Sequence, residues 1–256
     1  MSANGGRRRF LWRGVAVLGG VFVAGCERLS RTTWFPPILA TAETLNMRVQ
    51  RLLTSRPSMA REYTEADLSP HFRSNGTAMP DDFGYLAQSQ KGFAGWALQV
   101  GGLVETPLRL SLADLRAMPS RTQITRHDCV EGWSAIGKWT GVPLREVLAR
   151  ARPRANARYV VFRCADPMED GDDTNYYESI DMDDAYHPQT ILAYDLNGSP
   201  LPVPNGAPLR LRVERQLGYK MAKYLVAIEL VESFDSIRGG KGGYWEDKGY
   251  EWYAGI

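Results

Sequence analysis

Twenty-five glycines and fifteen prolines punctuate this chain, and they cut its apolar stretches into runs too short for a helical bundle. Tyr159 to Cys164 and Tyr224 to Val231 are continuous apolar runs, as expected of buried strands, whereas Leu209 to Val213 alternates apolar residues with arginine like a half-exposed one. Trp96 to Val104, Thr122 to Thr125, Tyr176 to Ile180 and Thr190 to Leu196 also read as strands. Short helices fall between them. Ser111 offers an N-cap to a helix carrying Leu112, Leu115 and Met118 and closed by Pro119, and Pro143 opens another with Leu144, Val147 and Leu148 on one face, ended by Pro153. A third spans Met182 to Tyr186, and Asn197-Gly198 is a hairpin signal. Because helices do not follow strands regularly, the pattern predicts an α+β fold rather than a doubly wound sheet.

A hydrophobic content of 44% is enough for one sizeable core. A net charge of only +2 argues against bulk nucleic-acid binding, and 11% aromatic residues argue against disorder. Residues 1–26 read as an export address: Arg7, Arg8 and Arg9 precede Phe10 and Leu11, as in a twin-arginine signal, and the apolar run Val15 to Ala24 is too short to span a bilayer. Val23-Ala24-Gly25-Cys26 resembles a lipobox, so a periplasmic protein held by a lipid on Cys26 is expected. Residues 27–70 read as a tether, with the proline-containing stretch Trp34 to Ile38, followed by an amphipathic helix whose Leu45, Val49, Leu52 and Leu53 are expected to pack on the domain formed by residues 71–256.

The chemistry is expected between Arg126 and Leu144, where Cys129 stands in a segment crowded with polar residues, glycine and tryptophan. A buried cysteine often only fills a core. In this setting the thiol reads instead as a nucleophile or metal ligand, its thiolate favoured by Arg126 or by a metal, with Gly132 at a turn and Trp133 and Trp139 walling the site from water. An exported domain with Cys129 and Cys164 invites a disulfide, although the two belong to different elements. The absence of CxxC or paired Cys/His spacing leaves no support for a zinc site, an iron-sulfur cluster or attached haem. His71, His127 and His187 lie far apart and read as loop residues, His127 being close enough to Cys129 to touch a substrate. Asp166 to Asp173 lacks calcium-loop spacing and reads as a solvated loop. Asn205 to Arg210 and Gln216 to Lys223 form either a phosphate cradle or a solvated basic face, and the aromatic tail GGKGGYWEDKGYEW is placed to cover a pocket.

Taken in order, CVEGW, WTGVPL, AYHPQT, NGAPLR and GYKMAK resemble the molybdopterin-binding domain of the sulfite oxidase superfamily, nearest to the bacterial periplasmic methionine sulfoxide reductase catalytic subunits, over roughly Asn75 to Ser233. The resemblance implies a single domain of mixed β-sheets with short helices that binds molybdenum-molybdopterin without a nucleotide. It implies that Cys129 ligates the metal, that Asn205, Arg210, Met221, Ala222 and Lys223 hold the pterin and its phosphate end, and that Asn75 lies in a further contacting loop. Cys164 falls where close relatives have a threonine near the cofactor. His127, Arg126 and Trp133 are the expected substrate-facing wall. The implied reaction is oxygen-atom transfer, reducing an S-oxide such as methionine sulfoxide with electrons from a membrane-bound b-type cytochrome. Sulfite oxidation is the alternative reaction; relatives that catalyse it carry a second domain, for which the chain after the last strand leaves no room. A non-catalytic anchored binding protein with a Cys129–Cys164 disulfide is the alternative from another class.

Overall fold

Two sheets and the helix between them place Cys129. The computed structural model describes residues 28, 31–55, 57–169 and 174–256. The arginines at 7–9, Cys26 and the acidic stretch 170–173, with Asp170, Asp172 and Asp173, therefore lie outside the described residues. The chain divides into two compact units, one ending at Leu53 and one running from Thr54 to Ile256.

The first unit is described through α1 (Phe35–Leu53). This helix starts earlier than expected and takes in the proline stretch read as a tether, because prolines in a first helical turn forgo only amide bonds that have no partner there. Leu45, Val49, Leu52 and Leu53, expected to pack away, are exposed.

The second unit opens with α2 (Phe83–Gln90), capped by Asp82 and not anticipated from the sequence. One five-stranded sheet has the order β2-β1-β10-β5-β6, from β1 (Ala97–Gly102), β2 (Leu108–Ser111), β5 (Tyr159–Pro167), β6 (Asn175–Asp181) and β10 (Leu225–Val231). Its β1–β10 pair is parallel and the remaining pairs are antiparallel. The other sheet has the order β3-β4-β7-β8, with β9 also on β7, from β3 (Arg121–Cys129), β4 (Trp133–Pro143), β7 (Ile191–Leu196), β8 (Ser199–Pro200) and β9 (Arg210–Arg212). The expected α+β class and mixed sheets are thus present. The anticipated short helices are α3 (Leu112–Ala117), held by a Ser111–Asp114 capping box, α4 (Leu144–Ala151) after Pro143, and α5 (Met182–Ala185). Asn197 and Gly198 both take positive φ in the β7–β8 turn, as such a hairpin requires.

The main core includes Leu98, Val100, Val160, Phe162, Ile228 and Leu230 of the first sheet, Leu192 and Leu211 of the second, and Leu144, Val147, Leu148 and Ala151 of α4. The four α4 residues have no exposed surface, and the three large ones each contribute about 1.5–3 kcal/mol by burial. A smaller cluster gathers Phe72, Trp139, Ile191, Ala193 and Leu196.

Two readings need correction. Trp133 and Trp139, expected as walls beside the Gly132 turn, belong to the eleven-residue strand β4, whose Trp133, Ala135, Gly137 and Trp139 stand opposite Cys129, His127, Thr125 and Gln123. Leu209 to Val213 was read as half-exposed, yet Arg210 and Arg212 are fully buried. In both cases tertiary partners, an edge strand of mixed composition and a buried polar network, outweigh the local pattern.

Gly141 marks how closely β4 passes β7: a Cβ there would stand 2.2 Å from the Leu192 carbonyl oxygen and 2.6 Å from the Ala193 Cα. Neither backbone atom can yield without moving the strand. Gly141→Ala is therefore expected to cost about 2–3 kcal/mol in urea denaturation, while Gly101→Ala, which meets nothing within 4 Å, should leave the midpoint nearly unchanged.

Candidate cofactor and active site

Cys129 ends β3, where Gly132, at φ +83°, turns the chain back into β4. The thiol lies at the wall of a cavity of about 270 Å3. Around it stand the loop Asn75-Gly76-Thr77, the turn residues Val130 and Glu131, Asp166 and Met168 at the end of β5, Tyr176 of β6, and Gly218, Tyr219, Met221 and Lys223. Trp245 of the short helix α6 (Tyr244–Asp247) and Tyr250 complete the wall, so the aromatic tail does cover a pocket. Trp245 and Tyr250 stack at 5.4 Å.

α6 is fixed to the cavity floor by ionic contacts that exclude water. Lys220, fully buried, donates to Glu178 and, at 2.6 Å, to Glu246. Burial and the neighbouring Glu246 push the Glu178 carboxyl well up, and both acids accept from the one lysine. Tyr177 and the backbone amides of Gly239 and Lys241 donate to Asp247, and Trp252 donates to Ser179.

Burial raises the Cys129 thiol, against the pull of the Glu131 amide and the positive charges of Arg73 and Arg210. Arg126 is not among those cations. Side chains alternate across a strand, and Arg126 points to the face of β3 opposite Cys129, where it is half-exposed and pairs with Asp128 at 2.9 Å. The structure therefore places Arg126 outside the cavity. His127 shares the face of Cys129 but is sealed beneath Gly218: a Cβ on that glycine would stand 2.4 Å from His127 Nε2. Arg212 donates to His127 Nδ1 at 2.9 Å and grips Glu214 through both ends of its guanidinium. Because a guanidinium only donates, Nδ1 accepts and the hydrogen sits on Nε2. Burial, followed by Arg212, drives the His127 pKa well down, so the ring is neutral.

The expected tryptophan wall divides in two. Trp133, half-buried, donates to Glu131 at 3.0 Å and holds that carboxyl below its usual range. Trp139 lies wholly inside, with the guanidiniums of Arg210 and Arg212 over its ring at 5.1 and 4.4 Å.

Lys223 lines the cavity, and Arg210 lies fully buried behind it. Arg210 donates to the carbonyls of Asn205 at 3.0 Å and Met221 at 3.2 Å and makes no ion pair among the described residues; burial and Arg212 lower its pKa to about 9. Lys223 donates to the carbonyls of Asn75 at 2.6 Å and Pro204 at 3.1 Å, and burial and Arg210 lower it to about 7. Asn75 and Met221 line the cavity, and Asn205 is buried behind it. The Ala222 carbonyl is tied to the Leu211 amide at 2.8 Å, which fixes the Met221–Lys223 segment to β9. Cys164 is buried on β5 in the main core and does not line the cavity; both cysteines are free thiols. Asp166, read as part of a solvated loop, is instead buried at the cavity with its pKa raised to about 7, by burial above all. Nothing in its local sequence marked it, nor Tyr176 and Tyr219, because their roles arise from the pairing of distant strands.

The sequence pattern of the oxidoreductase molybdopterin binding domain matches residues 86–236, more than half of the chain. Over 249 residues, 97% of this chain and 87% of its own, an Azospira oryzae protein bearing the provisional name protein-methionine-sulfoxide reductase subunit YedZ1 is 37% identical. The catalytic subunit MsrP of protein-methionine-sulfoxide reductase from Xanthomonas axonopodis is 46% identical over 145 residues, 54% of this chain but only 45% of that protein. The sulfane dehydrogenase SoxCD of Paracoccus pantotrophus shares the fold at a TM-score of 0.50, with 23% identity over 56% of this chain and 40% of its own. The chain belongs to the oxidoreductase molybdopterin-binding family, an assignment that makes it an oxidoreductase and implies a molybdenum cofactor.

The donor set fits that group. Asn75 Oδ1 and Asp166 Oδ1 line the cavity without a protein hydrogen-bond partner, and Asn205 Nδ2 and Arg210 Nε are likewise unpaired behind it, polar atoms that a ligand or water would satisfy. Arg210 and Lys223, with no carboxylate bound to them among the described residues, suit an anionic terminus, and Cys129 supplies a sulfur donor at the cavity that Lys223 also lines.

Asp166 and Lys223 give the cofactor-free protein a distinctive pH profile. Asp166 titrates near 7 when folded and near 3.8 when unfolded, so the folded state binds the extra proton and stability should fall as pH rises from about 4 to 7. Lys223, lowered from 10.5 to about 7, acts oppositely: the unfolded state holds the extra proton, and stability should rise from about pH 7 towards 10. Urea titrations across this range should show a minimum near neutrality, and Asp166→Asn should flatten the acid limb alone.

Proposed function

We propose that this oxidoreductase reduces an S-oxide such as methionine sulfoxide, converting it to the thioether and water with two protons and two electrons drawn from a membrane-bound b-type cytochrome. The observation that carries the reading is the thiol of Cys129 in the wall of one cavity with Lys223, backed by the fully buried Arg210, neither cation having an ion-pair partner among the described residues. The names carried by the Azospira and Xanthomonas relatives support the substrate class.

In this reading Cys129 binds the metal as thiolate, Arg210 and Lys223 hold the phosphate end, and Asn75, Asn205 and Asp166 meet the hydrogen-bonding edge of the pterin. The bound cofactor supplies two-electron exchange coupled to transfer of an oxygen atom. Tyr176, Tyr219, Trp245 and Tyr250 exclude water and offer ring surfaces that suit a sulfur-bearing side chain. Asp166, poised to exchange a proton near neutrality, is the cavity group suited to deliver one to the departing oxygen. The twin-arginine leader is read as exporting the folded, loaded protein to the periplasm, with a lipid on Cys26 holding it beside its electron donor.

Metal analysis of the exported protein, together with viologen-driven turnover of methionine sulfoxide, tests this reading. About one molybdenum per chain is expected, lost in Cys129→Ser and retained at least about tenfold more weakly in Arg210→Met. Absence of molybdenum, or oxidation of sulfite without reduction of sulfoxide, would overturn the proposal.

A further inference from the structure

α1, described by itself, carries an apolar face that is exposed. Ile38, Leu45, Val49 and Leu52 recur at offsets of 7, 11 and 14, which brings them to one side of a 3.6-residue helix. They are 53%, 62%, 43% and 84% exposed, and Leu53 at 80% and Trp34 at 56% extend the same stripe. Soluble surfaces scatter such residues singly and seldom gather them. The opposite side holds Glu43, Met47, Gln50 and Arg51.

The charges select what covers this stripe. Arg28, Arg31, Arg48 and Arg51 outnumber Glu27 and Glu43 on and beside the helix, an excess that suits anionic headgroups. At nineteen residues the helix is about 28 Å long, but it is too polar to cross a bilayer, and no described helix is long and apolar enough to do so. A strongly sided, basic helix of low mean hydropathy, beginning with a tryptophan, lies in the plane of a membrane interface instead. The chain also enters it soon after the apolar run Val15 to Ala24.

We infer that α1 is an interfacial helix, with Ile38, Leu45, Val49 and Leu52 immersed in an anionic lipid surface and its arginines at the headgroups. The contact is independent of a lipid on Cys26 and of the reaction catalysed. It adds a second membrane signal to the anchor proposed above, and two weak signals are what stable attachment takes.

Hydrogen exchange on the full chain tests this at the helix itself, so that membrane binding by residues 1–27 does not obscure the result. With vesicles of phosphatidylethanolamine and phosphatidylglycerol, amides of residues 35–53 should slow markedly, and less so with phosphatidylcholine alone. In Leu45→Glu/Leu52→Glu that protection should fall at least about tenfold, since burying one leucine side chain is itself worth about a factor of ten. Molybdenum content and viologen-driven turnover should stay unchanged, which separates this test from that of the catalytic reading. Exchange indifferent to vesicles would overturn the inference. So would protection that rises with protein concentration in the absence of lipid, which would assign the face to a second copy of the chain.

Discussion

The stacking of Arg210 and Arg212 over Trp139 is the constraint on which the site rests. Two guanidiniums in one buried aromatic setting repel each other, and the structure resolves this unequally. Arg212 is neutralised by Glu214, which Gln123 also holds, while Arg210 is left with carbonyl oxygens alone. The residual positive charge lies behind the cavity, close enough to act on Cys129 and on Lys223, which lines it. A folded core that keeps such a charge unneutralised is less stable than it could be, and a bound anion recovers the difference. The same pair sets the chemistry of its neighbours, holding His127 neutral with its hydrogen on Nε2, while Arg210 partly offsets the burial that raises the Cys129 thiol.

Much of this was legible in the sequence, because the strongest signals are local. Ser111 before Leu112, Pro143 before Leu144 and Asn197-Gly198 each fix their element through backbone rules that need no distant partner. The ordered motifs around Cys129, Asn205, Arg210 and Lys223 come together in and behind one cavity, although Cys164 stays in the core. What failed was the environment of charged residues. Arg126 stands three residues from Cys129 yet faces away, since an odd separation along a strand puts two side chains on opposite faces. Arg210 and Arg212 look like a solvated stripe until β9 is seen paired to β7 under Trp139. Asp166 sits in an acidic run, and only the closure of β5 against Lys223 and Tyr85 makes it a buried group.

The two sheets divide the labour. The β3–β4 hairpin offers the thiol, the segments flanking β9 and β10 offer the cations, and the first sheet contributes Asp166 and Tyr176 from its far strands. The cavity is thus a seam between layers, the setting in which folds of this kind place ligands. Its polar groups are carried on strands and on tightly bonded turns, which favours a preorganised site over one formed by closure of a loose loop.

The Lys220–Glu178–Glu246 knot has a consequence for how firmly the cavity stays shut. Trp245 and Tyr250, one flank of the cavity, lie far downstream of Cys129 in the chain, and their docking buries a lysine between two carboxyl groups. To swing that flank aside would expose the lysine and separate it from both acids at once, so the tail works as a latch on whatever the cavity holds.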